Sequence, residues 1–141
     1  MIATAWTVAG VMAALAMLHA YWALGGRAGS AVAIPQSGGR PLFRPGRGGT
    51  LAVAVGLLGA ALAALDAPYP LFQWLPHEQR AGARFALGLL FLARAVGDFR
   101  HVGFFKRRRE GAFASWDSRL FSPLSLALGL AFLLLGTQPP G

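Results

Sequence analysis

Phe85-Ala-Leu-Gly-Leu-Leu-Phe-Leu-Ala-Arg94-Ala-Val-Gly97-Asp98-Phe-Arg100-His101-Val-Gly103-Phe-Phe105 is apolar and long enough to cross a membrane, yet it carries charges. At 100° per residue, Arg94, Asp98, His101 and Phe105 fall within about 60° of one another on one helical face. A charge near the bilayer centre costs at least about 2.5–3.5 kcal/mol, so such residues face a bundle interior or a wet cavity and mark functional positions. The chain therefore reads as all-α, a polytopic membrane protein whose third helix turns a polar stripe inward. Arg94 and Asp98, four residues apart, are spaced to neutralise each other.

Composition agrees. Of 141 residues 55% are apolar, mean hydropathy is +0.52, and 13% are charged, against about 25% in soluble domains. Four apolar segments fill the chain, which leaves one domain, 1–141. The absence of cysteine removes disulfides, thiolate metal sites and cysteine nucleophiles together. A net charge of +8 raises the question of nucleic acid. The basic residues sit in two loops between apolar segments, without base-stacking aromatics among them, so positive-inside topology explains them better and no nucleic-acid partner is expected.

The spans are expected at about 2–24, 50–66, 76–105 and 118–138, a four-transmembrane-helix bundle. The first lacks a basic leading region and exceeds a signal-peptide core in length, so it is read as retained. Thr50 can cap the second helix, where Ala52, Gly56, Ala60 and Ala64 form a smooth packing stripe. Tyr69, Phe72 and Trp74 fit an aromatic belt. Pro76 suits the first position of the third helix. Ser122-Pro123 in the fourth is either a kink or a second helix start. The loop from Gly25 to Gly49 holds Arg27, Arg40, Arg44 and Arg47 among eight glycines and three prolines, a composition opposed to regular structure. Its second half either lies on anionic headgroups with Phe43 dipping in, or is a mobile basic linker. The loops after the first and third helices carry four and five Lys/Arg, which puts both termini outside the cytoplasm.

Depth gathers the polar residues in one leaflet. At 1.5 Å per residue His19 lies roughly 9 Å to the cytoplasmic side of the bilayer centre, between the levels of Asp98 and His101. Candidate ligand-binding residues are His19, Tyr21, Trp22, Arg94, Asp98, His101, Asp117 and Ser122. Each has a structural alternative. Arg94 and Asp98 can form a buried pair, the histidines can be hydrogen-bonded in the core, Tyr21 and Trp22 can anchor at the interface, and Asp117 can cap the fourth helix. Arg100 is read as snorkelling to phosphate.

His19-Ala-Tyr-Trp-Ala-Leu-Gly-Gly26, Arg94-Ala-Val-Gly-Asp98-Phe, Gly103-Phe-Phe-Lys106, Phe113-Ala-Ser-Trp-Asp117 and Leu120-Phe-Ser-Pro-Leu124 together resemble a family of small bacterial four-helix membrane proteins, a domain of unknown function. The resemblance covers nearly the whole chain and implies four spans in a bacterial inner membrane. It marks His19, Tyr21, Trp22, Arg94, Gly97, Asp98, Asp117, Ser122 and Pro123 as matching positions. It supplies no activity, and little of Ser37–Gly49 takes part in it.

Three functions compete. A cytoplasmic-side intramembrane pocket would bind a small anionic or amphiphilic ligand or a lipid headgroup, since two guanidiniums, a carboxylate and two imidazoles suit such a guest. A membrane-embedded enzyme on a lipid-like substrate could use His19 and Asp98 as base and acid, but no serine motif, HExxH or carboxylate pair names a reaction. An accessory subunit would use the buried pair for helix register and the small-residue stripe for docking. Membrane lipids are the expected partners, with anionic headgroups at the basic loops and a second copy or another membrane protein as further partners. No metal and no cofactor is expected, haem between His19 and His101 being the alternative.

Overall fold

Alanine and glycine set how closely the long helices of this chain approach one another. The structure, a computed structural model, describes residues 1–139. Helix α1 spans Ile2–Ala23, and a short α2, Ser30–Ala33, precedes a hairpin of β1, Gln36–Ser37, and β2, Arg40–Pro41. Helix α3 is Arg47–Leu65 and α4 is His77–Val96. Helix α5, Ala112–Trp116, runs through a π-helical turn at Asp117–Phe121 into α6, Ser122–Gly136.

Helix α1 packs along α3, and α4 along α6; thinner α1–α6 and α3–α4 seams join the two pairs. The core lies where α1, α3 and α6 meet: Ala5, Val8, Ala9 and Met12 face Ala60, Ala61 and Ala64, closed by Leu128, Phe132 and Leu135. Small side chains let the backbones come near, which gains dispersion contact. The α4–α6 crossing is closer still. A Cβ on Gly88 would sit 3.0 Å from the Gly129 carbonyl oxygen, and one on Gly129 the same distance from that of Gly88. Beside this crossing Phe91 stacks on Phe132 with centroids 5.9 Å apart.

Among the described residues three helices are long and apolar enough to cross a membrane: Ile2–Ala23, Arg47–Leu65 and the continuous Ala112–Gly136. Helix α4, of 20 residues, carries Glu78, Arg80, Arg84 and Arg94.

Several boundaries differ from the expected ones, each for a local reason. The third helix stops at Val96 rather than near 105. Gly97 and Gly103 both have φ 89°, a region costly for other residues, and they abut so tightly that a Cβ on Gly97 would meet the Gly103 Cα at 2.7 Å. The chain doubles back there, with the Phe104 N–H donating to the Ala95 carbonyl at 2.8 Å. Helix α3 starts at Arg47, and the Thr50 hydroxyl donates back to the Gly46 carbonyl instead of capping. The glycine-rich loop is not without structure: Gly38 and Gly39, at φ 60° and 75°, form the two-residue turn that glycine pairs favour in hairpins.

The last helix begins at Ala112 and ends at Gly136, against the expected 118–138. Its Ser122-Pro123 step is not a second helix start, because the helix runs on through it. Proline lacks the N–H that would bond to Arg119 and its ring crowds that carbonyl. The π turn over Asp117–Phe121 widens the helix where that crowding falls, so the helix continues.

Candidate functional site

The polar centre at this end of the bundle is Asp117, and it is fully buried, with an exposure of 0%. The π turn points its carboxylate at the loop that closes α4. One oxygen accepts from the Arg94 guanidinium at 2.7 Å. The other accepts from the Gly103 N–H at 2.8 Å and from the Lys106 ammonium at 2.9 Å. Lys106 is itself 2% exposed. It donates further to the Gly103 carbonyl at 3.1 Å and to the Ser118 hydroxyl at 2.7 Å, so each of its three N–H bonds has an acceptor. Charge-assisted bonds are strong, and three donors converge on Asp117. The helix end, the reversal loop and the π turn are thereby tied together.

The stoichiometry is one carboxylate to two cations, and one positive charge is left over. Arg94 carries it outward. Its side chain is 33% exposed, while Nη1 is buried without an acceptor. Ser122, one turn beyond the π segment, is fully buried, and its hydroxyl also lacks a partner.

The expected Arg94–Asp98 pair is not formed. Because α4 ends two residues before Asp98, the i,i+4 spacing no longer applies, and Arg94 finds its carboxylate on another segment. Asp98 instead organises the loop, with one oxygen accepting from the N–H groups of Arg100, His101 and Val102 at 2.9, 2.7 and 2.9 Å. This triple cap holds Phe99 at φ 60°, an unusual value for a bulky residue. Its other oxygen lies 3.6 Å from the His101 Nδ1. Partial burial pushes the Asp98 carboxyl up, but the three amides and His101 outweigh it and bring it down to about 2.

His19, Tyr21 and Trp22 form a separate group at the end of α1. The His19 Nδ1–H donates to the Leu15 carbonyl at 2.8 Å, and the ring meets Trp22 edge-on at 5.0 Å. Trp22 donates to the Ala28 carbonyl at 2.7 Å, and the Tyr21 hydroxyl accepts from the Ala28 N–H at 3.4 Å. Together they clip the turn after α1 onto the helix; Gly26 has no room for a side chain beside the Tyr21 ring. Among the described residues no hydrogen bond or ion pair joins this trio to Arg94, Asp98 or Asp117. Nor is there a group of three or more His, Asp or Glu arranged to hold a metal.

Two cations escaped the sequence reading. Lys106 looked like the first member of a basic run, but it is the one lysine beside twelve arginines. A compact ammonium with three donors fits a closed three-acceptor cage that a planar guanidinium does not. Arg84 went unremarked inside an apolar stretch. It is 2% exposed and donates to Asp66 at 2.9 Å, with Arg80 reaching the same carboxylate at 3.3 Å.

The chain belongs to the family described as Protein of unknown function (DUF3995), whose model matches residues 12–132. That span includes all of these groups. No curated protein and no solved structure matches the chain.

Proposed function

We propose that this family member is a four-span protein of the bacterial inner membrane, holding a small anionic or amphiphilic ligand or a lipid headgroup at its cytoplasmic end. The observation that carries the reading is Arg94: it has a buried Nη1 without an acceptor, a partly exposed side chain, and a carboxylate it must share with Lys106. A guest phosphate or carboxylate would satisfy that nitrogen and the surplus charge together.

Helix α4 supports the fourth span. Its length is about 30 Å at 1.5 Å per residue, enough for a hydrocarbon core. Arg80 and Arg84 lie in its first half and Arg94 near its end, each meeting Asp66 or Asp117, and Phe85–Ala93 between is free of charge. The two arginine-bearing loops then belong on the cytoplasmic side, with both termini opposite. Since the chain has no native cysteine, single cysteines report topology directly. A cysteine at Phe72 should label from outside and one at Arg108 from the cytoplasm; the reverse pattern would invert the orientation.

The ligand reading is tested by native mass spectrometry of the protein offered phosphatidylglycerol or phosphatidylcholine. Selective retention of the anionic lipid is expected, together with its loss in Arg94→Gln. Unchanged retention in a folded Arg94→Gln would leave Asp117 the role of pinning the loop and nothing more.

A further inference from the structure

The two basic loops, remote in sequence, dock on each other and leave a cleft between them. Its volume is about 480 Å³, and it is lined by Gln36, Ser37, the Gly38-Gly39 turn, Arg107–Arg109, Glu110 and Gly111. Every side chain facing it ends in a polar or charged group. Three guanidiniums against one carboxylate give it a charge of +2. A space of this size accommodates a small ligand.

The donors in the cleft are arranged rather than merely abundant. Arg108 donates from Nη1 to the Ser37 hydroxyl, which joins the loops and leaves the hydroxyl proton free to donate into the cleft. The Arg108 N–H is bonded to the Arg100 carbonyl at 2.9 Å, so its backbone is fixed as well. Arg107 and Arg109, on either side, have no acceptor among the described residues. Across from them the Gly38 and Gly39 amides, in a turn with two consecutive positive φ angles, donate to no group there. Such a turn presents its N–H groups together, as anion-binding backbone concavities do. Planar guanidiniums, a hydroxyl and paired backbone amides match the oxygens of a phosphate.

We infer that this inter-loop cleft is a phosphate-binding site, suited by its +2 charge to a phosphate monoester. It shares no residue with the Arg94–Asp117 centre, so either can fail without the other. At the membrane–water boundary the phosphate can come from a lipid headgroup or from a soluble compound, and the chemistry is common to both.

The test titrates the full-length protein in detergent with inorganic phosphate by calorimetry. In parallel, protein reconstituted in nanodiscs is offered lysophosphatidic acid or lysophosphatidylcholine. Three variants are compared: Arg107→Gln/Arg109→Gln, Ser37→Ala, and a charge-matched control, Arg27→Gln/Arg44→Gln, outside the cleft. The cleft double variant should weaken binding at least tenfold, Ser37→Ala severalfold, and the control by less than twofold. Binding of inorganic phosphate identifies a soluble source, and binding of lysophosphatidic acid alone identifies a headgroup; either supports the site. Equal weakening by the control would reduce the effect to diffuse charge and overturn the proposal, as would absence of binding in both arms. Ser37→Ala removes no charge and leaves the bundle untouched, so it reads the site even where the double variant folds poorly.

Discussion

Asp66 and Asp117 are two versions of one device. Each carboxylate takes two cations and one backbone N–H: Arg84, Arg80 and Phe72 at Asp66, and Lys106, Arg94 and Gly103 at Asp117. They stand towards opposite ends of α4. The difference lies in how the second cation is held. At Asp66 both arginines come from consecutive turns of one helix and are buried or nearly so. At Asp117 the ammonium is caged while Arg94 reaches outward, a third exposed. Both centres keep buried N–H groups without acceptors, on Arg80, Arg84 and Arg94, but the second cation is enclosed at the Asp66 end and partly exposed at the Asp117 end.

The largest effect should follow from removing either carboxylate. Asp117→Asn leaves two cations facing a neutral amide, and breaking one side of a buried pair costs about 3–5 kcal/mol. Asp66→Asn should cost a similar amount for the same reason. Thermal unfolding in detergent checks both, and a small loss at either position would break the equivalence of the two centres.

Lys106→Arg comes next. A guanidinium is too large and too flat for the three-acceptor cage, and overpacking of this kind costs about 1–3 kcal/mol. A variant as stable as the parent would show that the cage does not select ammonium.

Asp98→Asn should be the mildest of the carboxylate changes, at about 1 kcal/mol or less. The residue is half exposed, and an amide oxygen can still accept the three backbone N–H bonds, which makes the loss that of a charge near the surface. The pH dependence has a definite sign. The Asp98 pKa is lowered in the fold from 3.8 to about 2, so its contribution is full above pH 3.8 and is lost as the pH falls through about 2. Amide NMR shifts of Arg100, His101 and Val102 should move with that midpoint. A midpoint at the ordinary carboxylate value would mean the triple cap is absent in solution.

The sequence made the long helices legible because hydropathy reports on them directly. The expected 2–24 and the observed Ile2–Ala23 agree closely, since nothing but apolar length decides that helix. It misplaced the end of α4 because Phe104 and Phe105 continue the apolar run beyond Val96. The reversal depends on two glycines meeting across space, which hydropathy does not register. Arg94 and Asp117 were both recognised as candidates, but their partnership spans 23 positions. Helical periodicity can propose only a neighbour, and Asp98 was the neighbour on offer. Lys106 and Arg84 were hidden by the rules that classified them: a cation next to other cations reads as topology, and one in an apolar helix reads as an isolated exception. The hairpin turn at Gly38-Gly39 had a local signal in its glycine pair, masked by the glycine content around it.

The contrast between the closed and the open centre is tested most directly by neutralising the outer cation of each. Arg94→Gln and Arg80→Gln change the same charge by the same chemistry at opposite ends of α4. Native mass spectrometry with phosphatidylglycerol should find lipid retention lost in Arg94→Gln and kept in Arg80→Gln, both proteins remaining folded. Equal retention in the two, or equal loss, would contradict the assignment of the Asp117 end as the one that meets a ligand.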